Sequence, residues 1–371
     1  MSDGATENSS TELITPAERR RVWFAAALFL AFCSAVTGVA MRQMAVNKFD
    51  AAKRHVDWFK QTEADAKPTN PKLTEVESGI YVDRISEVSI KDVHWEVDFY
   101  VWFRWKGDEI KIGDDFNEEF RIVNGWADEA QLDKRTTVDG VNYVRFRVLA
   151  KISKFFDLKR FPLDDHLLTL NIEPRVAVRQ QMLLVPDEEH SGLSSRVRIT
   201  SFKITNRELT ERAHAYQTTL GDPELSQSSK AVFSQLRYGL SVERDDWGYF
   251  FKMFQGLFAS IAVALVVMFI KPTDVDPRFG LGVGAFFAAI ANGYITSGLI
   301  PDTGVTTMAD MINGAAMLMI FLTIVQSTVS LYLYDIRGRE ALARYFDWIS
   351  FWVFLMGAIA FNAAMPFLAK S

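Results

Sequence analysis

Four apolar runs fill most of the last third of the chain, and they constrain the fold more than any other feature. They cover residues 250–270, 279–300, 309–333 and 348–368, and short connections separate them. A helix needs about 20 residues to cross the hydrocarbon core of a bilayer, so each run is long enough. The sequence therefore predicts four membrane-spanning helices in a transmembrane domain at residues 247–371.

A fifth apolar run, at residues 22–41, follows Arg19, Arg20 and Arg21. It is either a retained anchor helix or the core of a cleaved signal peptide, and both place the arginines in the cytoplasm. A signal core has roughly 7–15 residues, so the length of this run favours the anchor. Residues 1–21 are then predicted to be a disordered cytoplasmic tail, and residues 42–78 a helical linker.

Residues 79–246 show a different pattern, in which apolar and polar side chains alternate. In residues 93–105 every second side chain is apolar, beginning with Val93 and ending with Trp105. Alternation over this length predicts a strand with one buried and one solvated face. Shorter runs of the same kind, separated by Gly, Asp and Asn, predict a β-sandwich across residues 79–246.

The basic residues of the connecting loops predict an orientation. With the sandwich outside, one cytoplasmic loop contains Lys271 and Arg278, and another contains Arg337, Arg339 and Arg344. The outward loop, residues 301–308, has no basic residue. The positive-inside rule thus predicts a cytoplasmic N-terminus and an extracellular or periplasmic sandwich.

Composition argues against several functional classes. The formal net charge is -5 and no long basic run occurs, which argues against a nucleic-acid partner. Cys33 is the single cysteine, so no intrachain disulfide is possible. There is no nucleophile elbow, zinc-binding histidine pair or phosphate loop, and we expect no enzyme, cofactor or metal ligand set. The acidic segment 187–190 could bind a divalent ion, but such loops are more often solvated.

A family resemblance centres on residues 154–168, which read KFFDLKRFPLDDHLL. Phe161, Pro162 and Asp164 match the Phe-Pro-Phe-Asp pattern of the Cys-loop in pentameric ligand-gated ion channels. Lys154 and Leu168 stand where that loop has its two cysteines, which prokaryotic members also lack. The match runs from about residue 80 to residue 368, through the strand VDFYVWFRW and the segment FRIVNGW at residues 120–126.

The chain thus resembles the prokaryotic type of the Cys-loop receptor superfamily. The resemblance implies a mixed fold, in which an extracellular or periplasmic β-sandwich that binds ligand precedes a four-helix transmembrane bundle. The N-terminal membrane helix is an addition to the usual plan of that family.

The second run of the transmembrane domain carries a face that differs from a lipid-facing one. Steps of three and four along a helix place six residues on this face: Asp276, Gly280, Gly284, Phe287, Ala291 and Tyr294. The residues alone allow two interpretations, a pore lining or a face whose small residues let helices pack closely. The resemblance implies the pore, with Asp276 as a charged ring at the cytoplasmic mouth and Phe287 as a hydrophobic gate.

The resemblance also implies residues for coupling and for ligand binding. Five residues correspond to the junction between sandwich and helices, with a buried ion pair expected between Asp164 and Arg244: Phe161, Pro162, Asp164, Arg244 and Pro301. Four aromatic residues fall near the loops that bind ligand between subunits: Trp102, Trp126, Tyr143 and Tyr216. Trp102 is expected on the outward face of its strand, and such rings can hold a cation.

These features predict a homopentameric, cation-selective, ligand-gated channel in the bacterial inner membrane. Its expected partners are copies of itself, membrane lipid, and an unidentified small molecule or ion that binds the sandwich. The alternative is a non-conducting membrane sensor or scaffold that reuses the channel fold. Two departures favour the alternative: Gly256 replaces the proline of the family's first membrane helix, and Gly280, Gly282 and Gly284 thin the pore helix.

Overall fold

The computed structural model describes residues 14–60, 66–218, 231–244, 247–302 and 304–370. The chain divides into two compact units. The helical unit comprises Met1–Lys48, Leu158–Leu163 and Trp247–Ser371, and the sandwich unit comprises Phe49–Asp157 and Asp164–Asp246. Within the expected tail and linker, residues 1–13 and 61–65 lie outside the described residues.

The first helix, α1, is continuous over Pro16–Phe59. It begins at a reciprocal cap, in which Thr15 N donates to Glu18 Oε2 at 2.9 Å and Glu18 N donates to Thr15 Oγ1 at 3.3 Å. Residues 16–21, which the sequence assigned to a disordered tail, are therefore helical. At 1.5 Å per residue α1 is about 66 Å long, so it extends well past residues 22–41 into the expected linker.

The other helices are one short helix in the sandwich unit and four long ones after it. Their bounds are Phe116–Glu119 for α2, Trp247–Val266 for α3, Val275–Ser297 for α4, Met308–Leu331 for α5 and Glu340–Lys370 for α6. A 3₁₀ turn, Val267–Phe269, extends α3, and a π-helical turn, Tyr332–Ile336, extends α5. In the described part of the chain, α1 and α3 to α6 are long and apolar enough to cross a membrane.

Packing in the helical unit follows the order of the helices. Helix α4 packs against α3 and α5, and α5 also packs against α6. The apolar half of α1 lies on α6, where Ala26 is buried with Ile349 and Val353, and the ring of Phe29 stacks on Phe354 with centroids 4.5 Å apart. The five apolar helices support the expectation of a transmembrane protein.

The described part of the sandwich unit forms two sheets. The larger has the order β4-β5-β2-β1-β7 with β8 beside β1, and the smaller has the order β3-β6-β10-β9. The bounds are Thr74–Ser89, His94–Lys106, Phe120–Ile122, Gly125–Val138, Val141–Ser153, Asp165–Pro174, Met182–Pro186, Gly192–Leu193, Lys203–Ala215 and Val232–Glu243 for β1 to β10. Strand β1 begins before residue 79 because Thr74 to Ser78 pair in parallel with Met182 to Pro186 of β7, a long-range pairing.

The alternating run predicted at residues 93–105 forms β2. Its apolar side chains face the core, where Phe103 stacks on Phe120 of the smaller sheet with ring centroids 3.9 Å apart. This contact between the two sheets confirms a sandwich-like arrangement. Val93 lies in the preceding turn with a φ of 59°. The opposite face of β2 is not uniformly solvated, because His94 and Trp102 are each only 8% exposed.

Candidate functional site

The six residues predicted to line a pore are all exposed on one side of α4, here called the α4 outer face. Phe287 is 65% exposed and Tyr294 is 78% exposed, although both have large aromatic side chains. The opposite side of α4 is buried against its neighbours: Arg278, Gly282, Ala285, Ala289, Asn292 and Thr296. The helix thus separates a packed side from a side that a single chain leaves uncovered.

The three glycines of α4 have different surroundings. A Cβ added at Gly282 would lie 3.1 Å from Ile324 Cγ1 of α5, so this glycine permits close helix packing. A Cβ added at Gly280 or Gly284 would have no heavy atom within 4 Å. Within the described chain, close packing therefore explains Gly282 but does not explain the two glycines of the α4 outer face.

Arg278 points away from Asp276 and into the helical unit. It is fully buried and forms two hydrogen bonds to Asp347 of α6, from Nη1 to Oδ2 at 3.1 Å and from Nη2 to Oδ1 at 2.8 Å. Its Nη1 also donates to the carbonyl of Ile270 at 2.8 Å, and Gln326 of α5 donates to Asp347 at 2.7 Å. Asp276 remains exposed, so its carboxylate is not neutralised by this arginine.

The residues predicted for coupling fall in both units. In the helical unit, Phe161 is 1% exposed, its carbonyl accepts from Ala309 N at 3.2 Å, and its ring lies 6.4 Å from that of Tyr249. The Phe161–Pro162 peptide is cis, and Pro301 is half-buried. The segment Leu158–Leu163 belongs to the helical unit although both flanking segments belong to the sandwich unit.

In the sandwich unit, Asp164 and Arg244 form the buried pair that the sequence predicted. Arg244 Nε donates to Asp164 Oδ1 at 3.0 Å, and the two side chains are 5% and 1% exposed. His166 Nε2 lies 2.6 Å from Asp164 Oδ2. Burial alone would raise the pKa of the Asp164 carboxyl, but the interactions with His166 and Arg244 lower that pKa to about 2.

Two of the four predicted ligand-binding residues, Trp102 and Tyr143, line one open pocket on the outer face of the larger sheet. The pocket, here called the sheet pocket, has a volume of about 460 Å³. Its lining is Tyr81, Tyr100, Trp102, Arg104, Tyr143, Arg145, Asp187 and His190. These residues come from adjacent strands β1, β2 and β5 and from the segment after β7, so alternation along neighbouring strands brings them together.

Trp102 lies in a special environment within the sheet pocket. It is on the outward face as predicted, but it is buried, and its Nε1 donates to Asp187 Oδ2 at 3.2 Å. Gly79 is its cross-strand partner, and a Cβ there would lie 2.1 Å from the indole, so only glycine lets the ring lie flat on β1. The acidic segment 187–190 is thus not an open ion site, because Asp187 also holds His190 at 2.8 Å.

Trp126 and Tyr216 lie elsewhere in the sandwich unit. Trp126 is 51% exposed and donates to Asp128 within its own strand at 2.8 Å. Tyr216 donates to the buried Glu173 at 2.7 Å, and burial together with Glu173 raises the pKa of Tyr216 to about 12. In a single chain the structure therefore brings only Trp102 and Tyr143 into a common pocket.

Sequence analysis missed the two arginines of the sheet pocket, Arg104 and Arg145. Arg104 forms an ion pair with Glu77 at 2.5 Å, and Arg145 lies over the ring of Tyr100 at 5.5 Å from its centroid. Arg145 alternates with the core residues of its strand, which is the signal that could have placed it beside Tyr143.

Comparison with protein-family models and with curated proteins finds no match to this chain.

Proposed function

We propose that the chain is the subunit of a homopentameric, cation-selective ion channel that opens when a ligand binds the sandwich unit. The observation that carries the proposal is the α4 outer face. A single chain leaves this face exposed, and it combines Asp276, two glycines without packing partners and the exposed ring of Phe287. A membrane helix gains little by presenting a carboxylate and bare backbone to lipid, whereas both suit a water-filled pore.

The proposal places the sandwich unit in the periplasm of a bacterial inner membrane and keeps α1 as an additional membrane helix. Contacts of α1 with α6 and with Arg339, the residue just before α6, support its retention. Trp23 Nε1 donates to Tyr345 at 2.9 Å, and Arg339 donates to Glu18 at 2.5 Å. These polar contacts add to the buried cluster around Ala26. A cleaved signal peptide would not need such specific partners.

The sheet pocket is the proposed ligand site, and Trp102 and Tyr143 are its proposed aromatic contacts. Arg145 and Arg147 lie over Tyr100 at 5.5 and 5.7 Å, so this ring already has cationic partners. The other predicted ligand contacts, Trp126 and Tyr216, would join the site only from a neighbouring subunit. Phe161, Pro162 and Pro301 would transmit the opening motion to the pore helices.

Electrophysiology of the purified protein in planar bilayers tests the proposal. In asymmetric NaCl the reversal potential should show cation preference, and Asp276→Ala should weaken that preference while opening persists. Phe287→Ala should raise resting current without changing the preference, because it removes a ring that can dewet the pore. Leu281→Ala is the matched control, since Leu281 is exposed on α4 but outside the α4 outer face.

Two outcomes would contradict the proposal. An unmodified protein that passes chloride better than sodium would remove the role of Asp276. A protein that never conducts would favour a non-conducting sensor or scaffold. Native mass spectrometry in detergent supplies the complementary test, because a stable monomer or dimer could not form a central fivefold pore.

A further inference from the structure

The sandwich unit contains a second group of side chains that could bind a ligand, and the channel proposal does not use them. Glu87 near the end of β1 and His94 and Glu96 at the start of β2 each offer one ligand atom, and these three atoms lie within 4.8 Å of one another. We propose that Glu87, His94 and Glu96 bind a divalent first-row transition metal such as zinc. The proposal does not depend on channel activity.

Strand geometry explains why the three side chains converge. His94 and Glu96 are two residues apart in β2, so they project from the same face of the sheet. Glu87 stands directly opposite Glu96 in the register of β1 and β2. The register shifts between Ile85 and Glu87, and this bulge turns Glu87 onto the face that carries His94 and Glu96.

The charges of this group favour a bound cation. Two carboxylates that face each other across antiparallel strands repel and destabilise the pair. Lys151 of β5 lies opposite Glu96, with Nζ 3.5 Å from Glu96 Oε1. One ammonium can balance only one of the two carboxylates, so a divalent ion between Glu87 and Glu96 would remove the remaining repulsion.

His94 supplies an independent observation that points to a metal. The residue is 8% exposed, and its Nδ1 lies 3.3 Å from the carbonyl oxygen of Asp92. A carbonyl oxygen only accepts, so this contact is a hydrogen bond in the tautomer that has its proton on Nδ1, and in that tautomer Nε2 presents a lone pair. That Nε2 is buried, has no hydrogen-bond partner among the described residues, and lies 3.8 Å from Glu96 Oε1.

This arrangement is the one that metal-binding histidines usually have. Such a histidine donates its other ring N–H to a carbonyl or carboxylate, which fixes the tautomer and aims the lone pair at the metal. Bonds of about 2.0–2.2 Å in a tetrahedral site bring donor atoms to about 3.4 Å from each other. The contact between His94 and Glu96 would therefore have to shorten by only a few tenths of an ångström.

The donor set selects the class of ion. One imidazole nitrogen with two carboxylate oxygens suits zinc and its neighbours in the first transition row, and a water can complete the fourth position. Calcium prefers six to eight oxygen ligands and does not favour imidazole. A bound ion would join the ends of β1 and β2 across their connecting turn, so it should also stabilise the sandwich unit.

Isothermal titration calorimetry of the full chain in detergent, stripped with a chelator and titrated with zinc chloride, tests the proposal. We expect one zinc ion per chain, and we expect Glu87→Gln to raise its Kd at least tenfold. His94→Gln should have the same effect. Because Glu87 is exposed, Glu87→Gln tests the site even if His94→Gln does not fold. X-ray absorption at the zinc edge should show nitrogen and oxygen ligands, including imidazole.

Lys151→Met gives a change of opposite sign. It removes an ammonium that competes for Glu96, so zinc should bind more tightly, which nonspecific damage to the site would not produce. His190→Gln is the matched histidine control and should leave the Kd unchanged, because His190 belongs to the sheet pocket. Equal displacement of zinc by calcium, or an unchanged zinc Kd in Glu87→Gln, would overturn the proposal.

Discussion

The sandwich unit and the helical unit each bury an arginine–carboxylate pair, and the two pairs differ in what surrounds them. In the sandwich unit, Asp164 accepts from Arg244 Nε at 3.0 Å and also contacts His166. In the helical unit, Asp347 accepts from both terminal nitrogens of Arg278, at 3.1 and 2.8 Å. Asp164 therefore contacts both a guanidinium and an imidazole ring, whereas Asp347 accepts two hydrogen bonds from one guanidinium.

The backbone around the two pairs also differs. Asp164 and Arg244 flank the paired strands β6 and β10, and Arg244 N donates to the carbonyl of Asp164 at 3.0 Å. A ladder of backbone hydrogen bonds therefore already holds these residues together. Arg278 and Asp347 lie on separate helices, α4 and α6, which no such ladder joins. The side-chain pair should thus contribute more to the free energy of unfolding in the helical unit than in the sandwich unit.

The largest expected effect is the loss of the pair in the helical unit. Arg278→Met leaves Asp347 buried without its guanidinium, and removal of one partner of a buried pair costs about 3–5 kcal/mol. We expect the free energy of unfolding in detergent to fall by that amount. Denaturant titration followed by tryptophan fluorescence measures the change.

Two further variants calibrate this prediction. Arg278→Met combined with Asp347→Leu removes both charges and should recover part of the lost stability. Arg344→Met is the matched control, because Arg344 pairs with Glu340 on the exposed side of α6 and such a pair contributes about 0–1 kcal/mol. If Arg278→Met lowered the free energy of unfolding no more than Arg344→Met, the buried pair would contribute no more to stability than an exposed one.

The pair in the sandwich unit should give a smaller effect that depends on pH. Its surroundings lower the pKa of Asp164 from 3.8 to about 2, which corresponds to about 2 kcal/mol of stability at neutral pH. Because the folded-state pKa is the lower one, this contribution is present above pH 4 and is lost as the pH falls toward 2. Asp164→Asn should therefore destabilise the protein at pH 7 and lose that disadvantage in acid.

Unfolding curves of wild type and Asp164→Asn at several pH values between 7 and 2 measure this convergence. Asp114→Asn is a suitable control, because Asp114 pairs with Arg135 but its side chain is 71% exposed. A constant difference between wild type and Asp164→Asn at all pH values would show that shape, and not charge, accounts for the effect.

The comparison of the two pairs also shows what sequence patterns can reveal. The Asp164 pair was predictable because the residues around Phe161, Pro162 and Asp164 match a family motif, and that resemblance implies Arg244 as the partner. The Arg278–Asp347 pair was not, because its members lie on different helices and neither residue belongs to a local pattern. The same limit applies to Trp102. Alternation along β2 predicts its outward face correctly, but the ring is covered by Asp187, which is 85 residues away in the sequence, and no local pattern reveals that contact.

Periodicity predicted the faces of single elements and failed where distant segments pair. The six residues of the α4 outer face follow from helical spacing, and the structure leaves all of them on one exposed side. By contrast, the start of β1 at Thr74 depends on parallel pairing with β7. The group of Glu87, His94 and Glu96 depends on a bulge, which changes the alternation in a way that the sequence did not reveal.

The smallest expected effect concerns Lys154, a cation of the sandwich unit. The described residues give it no two-pronged carboxylate contact like the one between Arg278 and Asp347. Burial, with a smaller contribution from Arg54, lowers the pKa of the Lys154 ammonium to about 8, while Asp157 acts in the opposite direction. The folded-state pKa is below the unfolded value of 10.5, so the charge destabilises the fold fully below pH 8. This cost decreases as the pH rises from 8 to 10.5.

Lys154→Met should then increase the free energy of unfolding at pH 7. We expect a gain of about 1 kcal/mol, less than the full pKa shift would give, because the side chain is only partly shielded from water and solvent screens its charge. Denaturant titrations at pH 7 and pH 10 measure the gain, with Lys106→Met as the exposed control; a gain that persists unchanged at pH 10 would assign it to packing instead of charge.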